Sequence, residues 1–594
     1  MAGLFNTLNI SKRGINVMQA GLNITSHNIS NASRTDYTRQ RLRVEASRPL
    51  TAVGGAGQIG TGAQVEMVER VRNTFLDYQI RNENSALGDV NVRQNVLTEI
   101  EKLVNESGDV GLSQMFNKFF DSWQELSKNP SDLNARNIVL QESVNMTNEF
   151  NRIYNELQES KGDINDTIKN SVVEVNSILN EIDALNQKIQ ELTLTGNQPN
   201  DFLDRRDMLL DQLSSKLGIT TDTKKNNGIN VVSKDTKLGN LVSNKESDGD
   251  LRLTYVESIE PKGTGFPQDV TITYYKNNDS TKESNKVELT IQNMTQEDFK
   301  NLEKNRIILS NKEGVPIDSS GNKIAGNTVN SSNFSSLSLS SGELGGLQKS
   351  HTEIDSFTEQ LNQLAKSFVY SVNAIHSGKT DATADKTPFF VNASVAKYDA
   401  DGNLMNPDEV AKAESEITAG NITLNKDLLE HPEKLKVKLH DNNFDDGSQN
   451  NIDGADNADR ALAIATLRES LFNISDIGKT INSRQDFFDP SKGGSSLDAN
   501  GLKIENAVNG VKLETQYKNA ITTIGIRANE ASREADNLED LVYNLEISRM
   551  SVSGVSLDEE MGNLIIFQHA YNASARVIST VDKLLDVIIN GLMS

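Results

Sequence analysis

A glycine-rich stretch near the N-terminus has a spacing that is typical of nucleotide-binding loops. Gly55, Gly57 and Gly60 satisfy the pattern GxGxxG, in which glycines let the backbone approach a pyrophosphate at the start of a helix. That chemistry needs a hydrophobic strand before the glycines and a helix after them. Here the segment that follows, TGAQVEMV, alternates between apolar and polar residues, as a strand does and the start of a helix does not. We therefore interpret the stretch as an exposed hairpin or linker and predict no cofactor.

A second motif has the spacing of the first ligands of a calcium loop. Asp399, Asp401 and Asn403 occupy the first, third and fifth positions, but Leu404 and Val410 stand at the sixth and twelfth. A calcium loop needs glycine at the sixth position for its turn and a bidentate acid at the twelfth. The segment is therefore predicted to be a turn without a metal ion.

The remaining residue types that carry chemistry form no recognisable site. The histidines, at positions 27, 351, 376, 431, 440 and 569, show neither HExxH nor paired-ligand spacing, and the sequence has no GxSxG elbow. It also has no cysteine, which excludes disulfides and thiolate metal sites. We predict no catalytic residues and no metal site, and hence no enzyme.

Length and charge exclude further classes of protein. A chain of 594 residues is too long for one hydrophobic core and suggests about three to five domains. Its formal net charge of −23 disfavours nucleic-acid binding, which needs a basic surface. No apolar run reaches membrane-span length. The N-terminus lacks the apolar core and cleavage site of a signal peptide.

The last segment of the chain, from Ser556 onward, contains a long apolar stripe. Ser556 is a good N-cap, and Glu559 three residues later completes a capping box. Alternating steps of four and three residues predict a coiled-coil-like helix that needs a partner helix. The stripe is Leu557, Met561, Leu564, Gln568, Tyr571, Ala575, Ile578, Asp582, Leu585, Ile589 and Leu592.

The first segment of the chain offers that partner. The same stepping selects Leu4, Leu8, Ser11, Ile15, Met18, Leu22, Thr25 and Ile29. The N-terminal segment is rich in lysine and arginine, whereas Asp and Glu predominate in the C-terminal one. Opposite charges favour pairing of the two ends, or of one end with the other end of a neighbouring molecule. The alternative is that both helices dock on an ordinary core.

Between the two ends, the sequence predicts a helical bundle interrupted by insertions, so that the fold class is multidomain and mainly α with β insertions. Helices are predicted within 72–104, as one helix or two, and within 115–126, 133–157, 164–194, 200–217, 344–375, 458–471 and 504–550. Strands are predicted at 64–71, 229–232, 251–256, 270–275, 287–291 and 307–309. The predicted domains are terminal helices (1–48, 551–594), bundle (49–217, 341–388, 455–550), a β-rich insertion (218–340) and a mixed, turn-rich insertion (389–454).

Several motifs resemble one known family. They are Arg549-Met-Ser-Val-Ser-Gly-Val-Ser-Leu-Asp-Glu-Glu560, Gln568-His-Ala-Tyr571, Asn28-Ile-Ser-Asn31-Ala32, Tyr37-Thr-Arg39-Gln40, Asp201-Phe-Leu-Asp-Arg-Arg-Asp207 and Ser341-Gly-Glu-Leu-Gly-Gly346. Together they resemble the flagellar hook-associated protein 1 family. The chain departs from the family at Arg34-Thr35-Asp36, where a Thr-x-Gly is usual, and Asp36 can take the left-handed position of that turn.

The resemblance implies a structural adaptor that joins the flagellar hook to the filament and is exported by the flagellar type III system. It also implies that the terminal helices form a coiled-coil-like inner layer, with the discontinuous bundle as the next layer and the β-rich modules facing outward. The implied partners are hook protein, the second junction protein and through it the flagellin filament, further copies in a ring or helical layer, and an export chaperone on the C-terminal helix. The predicted assembly interface consists of Leu4, Leu8, Ile15, Met18, Leu22, Asn28, Asn31, Tyr37, Arg39, Gln40, Leu557, Met561, Leu564, Gln568, Tyr571, Ala575, Ile578, Leu585, Ile589 and Leu592.

Other interpretations of the sequence lead to different functions. Another axial protein of the hook or rod type shares the N-terminal motif, although the length and the GVSLDEE ending disfavour it. The β-rich insertions are also compatible with a surface adhesin, and the glycine motif with an enzyme. The family resemblance instead implies a secreted protein of the extracellular flagellum, with no nucleic-acid partner and no membrane insertion.

Overall fold

The computed structural model of the chain describes residues 2–51, 58–104, 111–245, 247, 249–444 and 450–591. It is mainly helical, with long helices at both ends and several small sheets, which confirms the predicted fold class. The helices are α1 (Ala2–Asn31), α2 (Thr74–Val104), α3 (Leu112–Lys128), α4 (Leu133–Leu194), α5 (Asn200–Lys216), α6 (Gln296–Asn305), α7 (Gly342–Ser377), α8 (Pro407–Lys412), α9 (Lys426–Glu430), α10 (Asp459–Thr466), α11 (Arg484–Phe487), α12 (Leu513–Ser553) and α13 (Leu557–Asn590).

The strands form one five-stranded sheet and several two-stranded ones. They are β1 (Gln40–Ala46), β2 (Leu50–Thr51), β3 (Gln58–Ile59), β4 (Ala63–Arg70), β5 (Ile219–Thr223), β6 (Ile229–Ser233), β7 (Leu251–Pro261), β8 (Gln268–Tyr275), β9 (Lys286–Met294), β10 (Ile307–Asn311), β11 (Thr328–Asn330), β12 (Phe390–Asn392), β13 (Ile422–Leu424), β14 (Ser496–Leu497) and β15 (Ile504–Glu505). The large sheet has the order β10-β7-β8-β9-β11, and only its β9–β11 pair is parallel among the described strands. The other pairs are β1–β4, β2–β3, β5–β6, β12–β13 and β14–β15.

Several predicted helix boundaries were wrong. The helix predicted at 458–471 ends as α10 at Thr466. The segments 133–157 and 164–194 are one continuous helix, α4, of 62 residues. Gly162 lies in this helix with no neighbour close to where a Cβ would stand, so the penalty of a helical glycine is only about 1 kcal/mol. The last bundle helix begins at Leu513 rather than near Ile504, because Ile504 pairs with Leu497 in the β14–β15 ribbon.

The chain divides into two compact units. Unit 1 comprises Met1–Asn91, Ile168–Gln348 and Glu534–Ser594, and unit 2 comprises Val92–Thr167 and Lys349–Arg533. The five-stranded sheet of unit 1 buries alternate residues such as Val270, Ile272 and Ile291 together with Leu302 of α6. This alternation is the reason that the strands were predictable from sequence.

Asparagine side chains of α4 bind the strands of unit 1 through their backbone. Asn176 donates to the Leu253 carbonyl at 2.7 Å and accepts from the Leu253 amide at 3.0 Å. Asn186, which is fully buried, makes the same pair of bonds to Ile229 at 3.0 and 2.9 Å. Each amide thus replaces a neighbouring strand, so that the backbone groups of β6 and β7 are satisfied against a helix.

The core of unit 2 is aromatic. The Phe119 and Phe368 rings lie 5.0 Å apart at a steep angle, and Phe389 and Phe390 lie 4.8 Å apart. Trp123, the only tryptophan of the chain, lies 5.6 Å from Phe389 and is fully buried. Edge-to-face contacts of this kind stabilise a core beyond the apolar area that they bury. Trp123 therefore provides a single fluorescent probe of this core.

Next to the aromatic core lies a buried ion cluster centred on Arg484. Its Nε donates to Glu414 Oε2 at 2.9 Å, and its Nη1 lies 3.2 Å from Asp385 Oδ2 and donates to Ser377 Oγ at 3.2 Å. Arg484, Asp385 and Glu414 are all at most 4% exposed. These contacts hold together segments that are far apart in the sequence.

His376 makes unit 2 sensitive to acid. Its Nε2 accepts a hydrogen bond from the Lys436 amide at 3.2 Å, which requires an unprotonated nitrogen. Burial, aided by the charges of Lys436, Arg460 and Arg484, holds the pKa of His376 well below its usual value. Below about pH 6.5 the unfolded chain therefore binds a proton here that the native chain does not. We expect the free energy of unfolding to fall as pH decreases, by up to about 1.4 kcal/mol per pH unit from this residue.

The measurement is urea unfolding followed by Trp123 fluorescence between about pH 4.5 and 7.5, for the wild type and His376→Gln. Glutamine can accept the Lys436 amide without titrating, so its curve should be flatter below about pH 6.5. The carboxylates contribute equally to the pH dependence of the free energy of unfolding in both proteins, so their contribution cancels when the two curves are subtracted. Identical slopes for the two proteins would contradict this prediction.

Candidate assembly interface

Helices α1 and α13 pack against each other in opposite directions. Close contacts recur at seven-residue intervals along both helices: Gly14 with Ser574, Gly21 with Phe567, and Asn28 with Glu560. A Cβ atom at Gly14 would lie 3.2 Å from Ser574 Oγ. The sequence predicted pairing of the two ends within a chain or between neighbours, and the structure shows it within the chain. The coiled-coil-like inner layer stays a prediction.

The predicted stripe of α13 divides into two sets in the structure. Its half-buried members are Leu564, Tyr571, Ala575, Ile578 and Leu585. Its exposed members are Leu557, Met561, Gln568, Asp582 and Ile589, and Leu592 lies outside the described residues. On α1 the predicted apolar members Leu4, Leu8, Ile15, Met18 and Leu22 are all half-buried. Their role in assembly stays a prediction.

A second set of exposed apolar residues on α13 was missed by the sequence argument. Ile565, Ile566, Val577, Leu584 and Val587 are between 41% and 66% exposed. The signal was present in the sequence, because α13 has apolar residues on more than one face. A helix that is apolar beyond one stripe is usually covered by more than one partner. In the isolated chain this surface is exposed to solvent.

The polar motif of the N-terminal segment forms one connected cluster around Asn28. Its Oδ1 accepts from the Tyr37 hydroxyl at 2.7 Å and from the Gln40 amide at 3.0 Å. Its Nδ2 donates to the Gln40 carbonyl at 2.9 Å and to Glu560 Oε2 at 3.1 Å. All four hydrogen bonds available to the buried amide are made. Asn28 thereby fixes the chain reversal after α1 against the start of α13.

Arg39 joins the same cluster to the junction of α12 and α13. Its amide donates to the Ser553 carbonyl at 2.9 Å, and its guanidinium lies 2.8 Å from Glu560 and 3.0 Å from Glu559. Burial lowers the pKa of Arg39, but the two carboxylates outweigh it and keep the pKa above its usual value. Glu560, although 2% exposed, was absent from the predicted interface. Its partners lie at the other end of the sequence, so no local pattern could have indicated them.

The turn at Arg34-Thr35-Asp36 keeps the cluster intact despite its departure from the family motif. Arg34 and Asp36 form a bidentate ion pair at 3.0 and 2.8 Å. Asp36 does not take the left-handed conformation that the sequence comparison allowed for it. Asn31, at the end of α1, donates to the His27 carbonyl at 2.9 Å and lies at the surface. The turn therefore needs no glycine to bring Tyr37 to Asn28.

The motif of α5 also contacts this cluster. Asp204 Oδ2 accepts from the Thr38 amide at 3.1 Å, and Asp201 Oδ1 accepts from Gln40 Nε2 at 3.3 Å. Asn200 donates to Gln40 Oε1 at 3.2 Å. The motif of the N-terminal segment and the motif of α5, which are far apart in the sequence, are thus in contact in the structure.

The motifs with possible chemistry have structural roles where they are described. Asp399 Oδ1 accepts from the amides of Asp401 and Asn403, which makes the predicted turn. The Lys434 ammonium, 2.9 Å from Asn403 Oδ1 and 2.6 Å from Asp427, places a protein cation beside this turn. No acidic or histidine cluster able to hold a metal ion occurs in the described ranges. Gly55 and Gly57 of the GxGxxG motif lie outside those ranges.

Gly21 is required for the close approach of α1 and α13. A Cβ at this position would lie 2.9 Å from Cδ1 of the Phe567 ring. We expect Gly21→Ala to weaken the helix pair by about 1 kcal/mol or more, equivalent to about five-fold faster hydrogen exchange in peptides around Phe567. The control is Gly562→Ala, where nothing lies within 4 Å of the new Cβ. Equal exchange in the two variants would contradict the prediction.

Comparison with known proteins places the sequence among flagellar proteins. The family described as flagellar hook-associated protein FlgK helical domain matches residues 97–298. The family described as flagellar basal body rod FlgEFG protein C-terminal matches residues 548–591. No described helix is long and apolar enough to cross a membrane.

Relatives match over almost the whole length. Flagellar hook-associated protein 1 of Bacillus subtilis is 29% identical, and the alignment covers 100% of this chain and 99% of that protein. Flagellar hook-associated protein 1 of Salmonella typhimurium is 25% identical over 98% of this chain and 99% of its own. The solved structure of the flagellar hook junction protein FlgK from Burkholderia pseudomallei covers 80% of this chain and 100% of its own, at 12% identity and a TM-score of 0.48.

Proposed function

Since this chain belongs to the flagellar hook-associated protein 1 family, a family of structural flagellar proteins, we propose that it is the adaptor that joins the flagellar hook to the filament. The observation that carries the proposal is end-to-end similarity to proteins of that name, including both terminal helices. The proposed chemistry is assembly rather than catalysis, with no cofactor. The proposed neighbours are hook protein on one side and the second junction protein, followed by flagellin, on the other.

The terminal helices are the proposed assembly element. The polar cluster around Asn28 and Glu560 fixes α13 beside α1, while apolar residues of α13 remain exposed. A set of exposed apolar residues on one helix, such as the five on α13, indicates a protein partner. A subunit that tiles a helical or ring-shaped layer makes head-to-tail contacts, in which one surface of a copy covers a different surface of the next. We propose that further copies and the adjacent axial proteins cover α13.

The remaining parts of the proposal concern the route and the final location. The protein is exported by the flagellar type III apparatus, and its C-terminal helix is bound before export by a dedicated chaperone. The apolar face of α13 supports this, because it would otherwise be open to non-specific association before assembly. The final location is the extracellular part of the flagellum, and no part of the protein is inserted in a membrane.

The test is deletion of the gene, with electron microscopy of the cells and assay of flagellin in the medium. We expect complete hooks without filaments and flagellin lost to the medium, both reversed by the wild-type gene. Absent hooks would instead support a hook or rod protein. Normal filaments with reduced attachment of cells to surfaces would support an adhesin, and the junction role would be wrong in either case.

A further inference from the structure

Helix α5 is bound on one side by a network of arginines and aspartates within unit 1. Asp207 lies 2.8 Å from Arg70, 3.0 Å from Arg72 and 3.4 Å from Arg81. Burial raises the pKa of Asp207, but the three guanidinium groups outweigh it and hold the pKa well below its ordinary range. The members of the network are Arg70, Arg72, Arg81, Arg549, Asp77, Asp204, Asp207 and Asp211. It connects α5 to β4, α2 and α12.

The same helix reaches the terminal segment through Asp204. This carboxylate accepts from the Thr38 amide at 3.1 Å and lies 2.7 Å from Arg70. Thr38 immediately precedes Arg39, which binds Glu559 and Glu560 at the start of α13. A shift of α5 would therefore displace the segment at Thr38 and Arg39 that holds α1 and α13 together.

On its other side, α5 is bound to the β5–β6 hairpin through Arg206. The buried Arg206 Nη1 donates to the Asn227 carbonyl at 2.7 Å and to Asn186 Oδ1 at 3.0 Å. Asn186 Oδ1 also accepts from the Ile229 amide, the first residue of β6. Burial lowers the pKa of Arg206 to about 10. This buried guanidinium thus depends for its hydrogen bonds on the loop before β6 and on Asn186 of α4, which itself binds the first residue of β6.

We propose that α5 is a coupling element, through which loosening of the terminal segment loosens the β5–β6 hairpin and the reverse. Asp204 and Arg206 are two residues apart on one short helix, so a shift of the helix disturbs both sets of contacts together. Neither set can be given up separately at low cost, because a buried charge without its partners is strongly destabilising. Coupling between two sites through a shared element is reciprocal, and this inference does not depend on the role of the protein in the flagellum.

The test is hydrogen exchange, measured by mass spectrometry on the full chain, with one perturbation at each end. Arg39→Gln breaks the contacts to α13, and the distant readout is β6 (Ile229–Ser233). Arg206→Gln breaks the contacts to the hairpin, and the distant readout is the segment around Thr38. We expect about five-fold or faster exchange at the distant site in both variants.

Arg205→Gln is the matched control, because it removes the same charge from the next residue of α5. Arg205 is 48% exposed at its side chain and forms a salt bridge with surface Glu181. It also lowers the pKa of the Asp36 carboxyl, but it is the weakest of the groups that act on that carboxyl, so neither distant site should change. If Arg206→Gln proves unfolded by circular dichroism, Arg206→Lys replaces it, with a smaller effect of the same direction. Exchange that changes only at the mutated site, or in one direction only, overturns the proposal.

Discussion

Replacing Ile566 with aspartate is expected to abolish filament attachment while leaving the melting curve of the isolated protein unchanged. Ile566 lies on α13 and is 64% exposed, so a carboxylate there remains hydrated in the free chain. In the proposed assembly, neighbouring subunits cover this face. The same carboxylate would then lose its water at a cost of several kcal/mol. The measurement is the number of filaments per cell beside the thermal unfolding curve.

Two further variants separate assembly from folding. Asn572→Asp adds the same charge at an exposed position of the same helix, outside the predicted stripe and the exposed apolar set, and should support normal filaments. Leu564→Asp places the charge at a half-buried position of α13, so it should weaken the helix pair as well as abolish filaments. Normal filaments with Ile566→Asp would show that the exposed face of α13 is not an assembly surface.

The terminal helices show what a periodic pattern can and cannot predict. The existence of both helices and the cap at Ser556 followed from local sequence, and Ser556 indeed accepts from the Glu559 amide. The sequence did not predict which residues of α13 contact α1. Because α13 is apolar on several faces, more than one stripe with alternating steps of four and three residues can be drawn along it. The line within the chain is set partly by Gly14 and Gly21, which an argument based on apolar residues passes over.

The polar contacts of the fold were less predictable than its strands and helices. The strands of the five-stranded sheet followed from alternation, which is a local property. Glu560 and Arg484, by contrast, carry charges that a sequence argument assigns to solvent, yet both are buried. Each is stabilised by partners that are distant in the sequence, such as Asn28 for Glu560. A single sequence contains no signal for such pairs.

The Arg484 cluster should dominate the stability of unit 2. Arg484→Met is expected to lower the free energy of unfolding by about 3–5 kcal/mol, because Glu414 and Asp385 would remain buried without their cation. Methionine fills much of the space but cannot neutralise two carboxylates. Trp123 lies 5.6 Å from Phe389 within the same unit. Urea unfolding followed by its fluorescence measures the effect.

Two comparisons establish whether charge is the cause. Lys492→Met breaks the partly exposed pair with Asp486 and should change the free energy of unfolding by about 1 kcal/mol or less. Adding Glu414→Gln and Asp385→Asn to Arg484→Met removes the unpaired charges, so the triple variant should recover part of the lost stability. If the triple variant is no more stable than Arg484→Met alone, the loss arises from packing and hydrogen bonds, and the buried carboxylates are not its source.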